Sequence, residues 1–322
     1  MTAVRTERLT KDFLTGFWRP TPKRALDALS FEIPAGGVFG LLGPNGAGKS
    51  TTLKLLVDLL RPTSGRAEVL GRPPGDTAGR QRLGFLPENP TFYDHLSAEE
   101  LLTYFAGLFG FTGVDRRRRA TVVLDRVGLE ADRRRPIRQY SKGMVQRVGL
   151  AQALVNDPEL IILDEPMSGL DPIGRRDVRA MIAELGQEGR TVLFSSHILS
   201  DAEELCERVA ILAKGQLVTS GHVSELTSRD VTGWVLVVAG GDEAQHRVLV
   251  PGGVVRHLGH DRFALELAAT SRPEAVVAAL AASGAVLESV TPRRATLEDV
   301  FVRSVGQARA DAAVTGAQGA PR

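Results

Sequence analysis

Short apolar runs alternate with helix-period segments over the first two thirds of the chain. Val38–Leu42 (VFGLL), Leu160–Glu165 (LIILDE) and Thr191–His197 (TVLFSSH) have the unbroken apolar character of strands buried on both faces of a parallel sheet. The segments between them carry helix-start signals. Ser97 followed by Glu100 forms a capping-box pattern ahead of AEELLTYFAGLFG, and Asp201, Glu203 and Glu204 put carboxylates in the first turn of DAEELCERVA, where they favour the helix dipole. The stretch 210–221, AILAKGQLVTSG, predicts two strands joined by a tight Lys-Gly turn. Alternation of this kind predicts an α/β domain over residues 1–221.

Beyond it the pattern changes. WVLVV (234–238), HRVLV (246–250) and RFALEL (262–267) are strand-like runs. A helix capped by Ser271 with Glu274 follows, then the strand AVLESV and a short helix from Thr296. This predicts a small α+β domain over 222–304. From Gln307 to Arg322 the chain is mostly Ala, Gly and polar residues, and a disordered tail is expected over 305–322. No internal repeat interrupts this order.

Composition removes several function classes. The net charge of +2 gives no excess that would announce a polyanionic partner, so nucleic acid is not expected. The runs Arg116–Arg119 and Arg133–Arg135 contain no aromatic residue and read as solvated helix faces. A single cysteine, Cys206, excludes a disulfide framework and fits a reducing compartment. MTAVRTERLTKDF has no apolar core, so no secretory signal is expected. EAVVAALAASGAVLE is shorter than the roughly 20 residues a membrane span needs, so any membrane role must be borrowed from a partner.

The chemistry gathers at three strand ends. GPNGAGKS (43–50) follows one apolar run and precedes the helical TTLKLLVDLL. Strand, glycine-rich loop, then helix is the context that separates a phosphate-binding P-loop from a chance glycine-rich turn. Gly43, Pro44, Asn45, Gly46, Ala47 and Gly48 supply backbone N–H groups, and the helix start adds partial positive charge. Lys49 is expected to reach the β- and γ-phosphates, Ser50 to hold Mg²⁺, and Thr51 to contact the α-phosphate. Asp164 and Glu165 end LIILDE, a costly pair in a buried strand without a cation. Asp164 is the expected second Mg²⁺ residue and Glu165 the group that orients or deprotonates the attacking water. His197 ends the next run and points to the same crevice. Ser141 has the residue type of an N-cap, opening a helix whose N–H groups form a second anion site.

In order and spacing, GPNGAGKST, YSKGM, LIILDEP, SGLD and SSH resemble the nucleotide-binding subunit of ABC transporters, over about residues 1–221. The resemblance implies ATP and Mg²⁺ as cofactors and ATP hydrolysis as the activity. It makes Tyr140–Met144 the signature motif, Ser168–Asp171 the D-loop and His197 the switch histidine. Ser141, Lys142, Gly143 and Asp171 would face the ATP of a second subunit in a head-to-tail homodimer, although Lys142 can equally point to solvent. Glu88, in GFLPENP, stands where the family commonly has a glutamine beside Mg²⁺ and the attacking water. The adenine-stacking ring would come from KDFLTGFWRPTPKRAL, an apparent extended loop, with Phe13 in the usual place and Phe17 and Trp18 as alternatives to it; any of the three can instead pack a core.

YSKGM and LPENP look like exporter subunits. The implied partner is therefore a separate permease of about six membrane-spanning helices, with this chain at the cytoplasmic face of a bacterial membrane. Phe92, Tyr93 and His95 are the expected contacts to it. The C-terminal zone resembles an accessory domain of exporter ATPases, for dimer stabilisation and regulation or for stability alone. A soluble ABC ATPase working in metallocluster assembly is the alternative. The long coiled coils of DNA-acting members, the second cassette usual in ribosome-acting ones and the guanine-reading Asn-Lys-x-Asp pattern of GTPases are all missing from the sequence.

Overall fold

A computed structural model describes residues 1–16, 18, 20–227 and 231–303. Phe17 and the tail over 305–322 lie outside the described residues. Residues Met1–Val223 form one unit and Ser224–Arg303 a second.

In the first unit the elements run β1 (Thr2–Thr15), β2 (Thr21–Pro34), β3 (Gly37–Leu42), α1 (Lys49–Leu56), β4 (Ser64–Val69), α2 (Thr77–Arg80), β5 (Leu83–Leu86), α3 (Ala98–Leu108), α4 (Gly113–Arg126) and α5 (Lys142–Leu154). They continue as β6 (Leu160–Leu163), α6 (Pro172–Gln187), β7 (Thr191–Ser196), α7 (Leu199–Leu205), β8 (Arg208–Ala213) and β9 (Gln216–His222); α8 (Val223–Leu226) begins at the last residue of this unit and runs into the second. The main sheet has the order β5-β6-β7-β3-β8-β9, parallel except for β9. Every residue of β6 and β7 is buried, as unbroken apolar runs require between two covering layers. Leu42 pairs with Ser196 and Leu163 with Phe194, so β3, β6 and β7 end at nearly one level. The three chemical segments leave the same sheet edge, where ligands bind in open α/β sheets.

A second sheet, β2-β1-β4, is antiparallel. Its hairpin corrects the reading of KDFLTGFWRPTPKRAL as a loop. Phe13 pairs with Lys23 and Thr15 with Thr21, so most of the stretch is paired strand. The hydroxyls of Thr15 and Thr21 donate to each other's carbonyls, Arg24 bridges to Asp12 at 2.9 Å, and Gly16 turns the chain with φ 102°. These cross-strand ties are invisible to a composition reading that sees Gly, Pro and Thr as loop formers.

The capping box at α3 has both its bonds: Ser97 Oγ accepts from the Glu100 N–H, and the Glu100 carboxylate accepts from the Ser97 N–H at 2.8 Å. The N–H and hydroxyl of Ser97 hold the Glu100 carboxyl below the usual range. Arg116–Arg119 is not wholly a solvated face. The Arg119 guanidinium donates to the carbonyls of Val155 and Leu154, both at 2.7 Å, and so caps the C-terminus of α5. Arg133–Arg135 pair at the surface with Glu99 and Asp132. Lys214 and Gly215, both at positive φ, make the tight turn between β8 and β9.

The second unit contains β10 (Val231–Ala239), α9 (Glu243–Leu249), β11 (Val254–Gly259), β12 (Arg262–Ala268), α10 (Pro273–Ser283) and β13 (Val286–Arg294). The strands form an antiparallel sheet of order β11-β12-β10-β13 over a core that includes Leu236, Phe263, Leu265 and Leu280. HRVLV, read as a strand, is helical. Asp242 caps α9 by accepting from the Gln245 N–H at 2.7 Å, and Glu243 pairs with Arg247 one turn on. Cap and pair outweigh the β-preference of two valines. Ser271 does not cap α10 either: the N-cap is Arg272, with Pro273 at the first helical position. Proline has no N–H to satisfy there and its φ is set for the helix. Thr296 and Asp299 exchange cap bonds ahead of helical residues 297–303.

Candidate functional site

The glycine-rich loop leaves β3 and runs into the N-terminus of α1. Gly48 is the N-cap, at φ 106°; a Cβ there would lie 2.6 Å from Leu26 and 2.9 Å from the Ala25 carbonyl. Gly43, at φ 150°, would put a Cβ 2.3 Å from the Leu212 carbonyl. Both positions are closed to any side chain by neighbouring backbone as well as by conformation. Lys49 folds back over the loop, donating to the Gly43 carbonyl at 2.7 Å and the Pro44 carbonyl at 3.3 Å. Its side chain is 5% exposed, and the ammonium lies 3.2 Å from Glu165 Oε1.

The carboxylates meet this loop from β6. Ser50 Oγ donates to Asp164 Oδ1 at 3.0 Å. Glu165 takes a left-handed backbone, φ 49°, and its other oxygen, Oε2, lies 2.8 Å from His197 Nδ1. A carboxylate oxygen can only accept, so Nδ1–H donates. The structure thus brings Lys49, Ser50, Asp164, Glu165 and His197 into one cluster, in which Lys49, Asp164 and Glu165 are buried, Ser50 is half-buried and His197 is exposed. Ser195, which sequence reasoning passed over, joins it: its hydroxyl donates to Asp164 Oδ1 at 2.7 Å and accepts from the Glu165 N–H at 2.8 Å. The available signal was a pair of serines, Ser195 and Ser196, closing a strand that is buried along its whole length.

A cavity of about 580 Å³ opens over the cluster. Asn45 through Thr51, Glu88, Glu165, Ser168 and His197 are among the residues that line it. Phe13, Lys23 and Arg24 line it as well. Phe13 also receives the Lys11 ammonium over its ring, 5.2 Å from the centroid. Trp18 is 91% exposed and lines no part of the cavity. Lys23 and Arg24 were not anticipated from sequence, and Ser168 was anticipated only as part of the D-loop. Asp164 is fully buried with hydroxyl donors as its partners and no ion pair to a basic side chain among the described residues. A buried carboxylate beside a serine hydroxyl and a phosphate cradle is the hard-oxygen set that suits Mg²⁺, which takes most of its ligands from water and phosphate.

Ser141, Lys142, Gly143 and Asp171 do not reach this cavity. Ser141 caps α5 by accepting from the Met144 N–H, and Asp171 caps α6 by accepting from the Gly174 N–H at 2.8 Å. Both side chains are exposed. Lys142 lies across Gly169 of its own chain: a Cβ on Gly169 would come 2.0 Å from the lysine Nζ. Gln146 fastens α5 to the loop after Glu165, donating to the Pro166 carbonyl at 2.9 Å, and Arg147 pairs with Asp177 of α6. Burial, and to a lesser degree Asp132, raises the Tyr140 phenol above its usual value; its hydroxyl donates to the Asp132 carbonyl.

The ABC transporter family model matches residues 26–168. An uncharacterized ABC transporter ATP-binding protein of Synechocystis is 44% identical over 305 residues, spanning 94% of this chain and 84% of the relative. The chain belongs to the ABC transporter ATP-binding proteins. The daunorubicin resistance ATP-binding protein DrrA3 of Streptomyces coeruleorubidus is 38% identical, covering 89% of this chain and 93% of its own length. A fluoroquinolones export ATP-binding protein of Mycobacterium tuberculosis is 35% identical over 94% of this chain and 95% of its own length. Among solved structures, a post-hydrolysis dimer of the ATP-binding cassette MJ0796 bound to ADP and phosphate matches with a TM-score of 0.62 at 26% identity. That match covers 68% of this chain and 98% of the cassette.

This ABC ATPase therefore carries a C-terminal region beyond the cassette fold of that structure. No helix among its described residues is long and apolar enough to cross a membrane. Ahead of α3, Tyr93 is exposed and edge-on to His95 and Phe92 is half-buried, and Tyr104 and Leu108 of α3 are exposed as well.

Proposed function

We propose that this chain is the ATP-hydrolysing subunit of an exporter, working as a homodimer on a separate permease at the cytoplasmic face of a bacterial membrane. The observation that carries the reading is the cluster of Lys49, Glu165 and His197, with Asp164 bonded to Ser50 beside it. The loop N–H groups and the start of α1 bind the phosphates, and Phe13 stacks on the adenine. Ser50 and Asp164, with Glu88 near them, would hold Mg²⁺, which when bound draws charge from the phosphate oxygens.

Hydrolysis forms a bond from the water oxygen to the γ-phosphorus and breaks the bond to the β–γ bridging oxygen. Glu165 orients the water and receives its proton, and His197 holds Glu165 by the Nδ1 bond. Lys49 transfers from its carbonyl and carboxylate partners to the phosphate charge. Ser141 and Asp171, both exposed, and the half-buried Gly143 lie away from their own chain's cavity and complete the site of a second copy. The dimeric cassette structure and the export proteins among the relatives support this arrangement.

A Glu165→Gln variant tests it. With Mg²⁺ and ATP the variant should elute from a sizing column as a dimer with hydrolysis reduced at least about a hundredfold. A monomeric variant that binds ATP would overturn the sandwich. Native protein captured from membranes should bring a hydrophobic permease; a soluble metallocluster scaffold in its place would overturn export.

A further inference from the structure

Ser195 is the penultimate residue of β7 and has no solvent exposure. A hydroxyl has one proton and two lone pairs. Here the proton goes to Asp164 Oδ1 and a lone pair takes the Glu165 N–H. Among the described residues this side chain makes no other hydrogen bond. The hydroxyl thus joins two consecutive carboxylate residues that the proposed reaction uses for different ends.

We propose that Ser195 is a positioning residue for hydrolysis, setting the rotation of the Asp164 carboxylate and the backbone turn of Glu165. The proposal rests on the reading of Asp164 as the metal-side carboxylate and Glu165 as the water-orienting group. Two donors converge on Asp164 Oδ1, from Ser50 and from Ser195. Ser50 is itself a residue that would hold Mg²⁺, which would leave Ser195 as the donor committed to Asp164 alone. Glu165 has the opposite need. Its left-handed φ of 49° is unfavourable for a residue with a Cβ, and the bond from its N–H to Ser195 fixes that turn. The turn sends the side chain toward Lys49 and His197 instead of continuing the strand.

Removing the hydroxyl leaves a buried N–H without its partner and a buried carboxylate one donor short. A serine present only to fill space would tolerate alanine or threonine according to volume. A positioning serine requires the oxygen.

The experiment compares Ser195→Ala, Ser195→Thr and Asp164→Asn with wild type in three measurements: ATPase kcat against Mg²⁺ concentration, affinity for a fluorescent ATP analogue with Mg²⁺ and with chelator, and thermal midpoint. In Ser195→Ala the expected result is a fall in kcat of about tenfold and a several-fold rise in the Mg²⁺ needed for half-maximal rate. Analogue affinity in chelator should stay within about twofold, and Ser195→Thr should regain most of the rate. Wild-type kcat and Mg²⁺ dependence in Ser195→Ala would overturn the proposal. Equal losses in the alanine and threonine variants, accompanied by a lower thermal midpoint, would also overturn it, because they track packing. Asp164→Asn separates the two levels. If it leaves Mg²⁺ dependence unchanged, the metal-side reading fails and this proposal with it. If Asp164→Asn shifts that dependence and Ser195→Ala does not, the failure belongs to Ser195 alone.

Discussion

Replacing Arg119 by alanine should destabilise the first unit although the residue lies far along the chain from any motif. The guanidinium makes two charge-assisted bonds of 2.7 Å to the last carbonyls of α5 and reaches Asp157 at 3.2 Å. Those carbonyls have no partner within their own helix. A bond to a charged donor contributes about 1.5 kcal/mol net, so the two are worth about 3 kcal/mol. The side chain is 22% exposed, and water can replace part of what is lost, which brings the expected cost to about 2 kcal/mol. For a unit of this size that lowers the thermal midpoint by about 4–8 °C. Arg119→Met, which keeps the aliphatic stem, should lose nearly as much, and Arg119→Lys about half, because an ammonium cannot fork across two carbonyls. Calorimetry or fluorescence-detected melting reads the effect. Alanine and methionine variants melting within about 1 °C of wild type would show that the cap contributes nothing and that the solvated-face reading was adequate.

Three further outcomes follow from the same packing. Gly84 of β5 faces α5 so closely that a Cβ would sit 1.9 Å from the Ala153 carbonyl, so Gly84→Ala should cost about 3 kcal/mol or more in urea unfolding. Gly189, open on all sides but at φ 82°, should cost only about 1 kcal/mol on the same substitution; equal losses would argue against steric closure at Gly84. Cys206 is buried and its thiol is pushed far above the usual range by that burial. It should therefore resist alkylation at neutral pH until urea unfolds the protein, a contrast read by mass spectrometry. Phe13→Ala should weaken ATP binding by about tenfold through loss of stacking, with Trp18→Ala indistinguishable from wild type in titration; the reverse ranking would place the adenine elsewhere on the hairpin.

The nucleotide loop, Asp164, Glu165 and His197 were legible because each ends a continuous apolar run, and parallel strands of similar register deliver their ends to one edge. Phe13 was legible only through the family pattern, since its neighbours look like a loop; the long hairpin that holds it depends on cross-strand pairs between residues distant in composition rules. HRVLV and the Ser271 cap were misread for the opposite reason. A local cap at Asp242 and a proline at 273 decided those segments, against propensities that were weak to begin with.

By itself the sequence determined the buried parallel strands, the glycine-rich loop between strand and helix and the polar residues that end those strands, because periodicity and residue type are local properties of the chain. Which side chains touch was decided by the tertiary structure alone. Ser195 reaches Asp164 from the neighbouring strand, Arg119 reaches the end of α5 from another helix, and Lys142 lies across Gly169 of its own chain. Each of these depends on where a sheet or a helix pair brings distant backbone together, and no spacing along the chain encodes that distance.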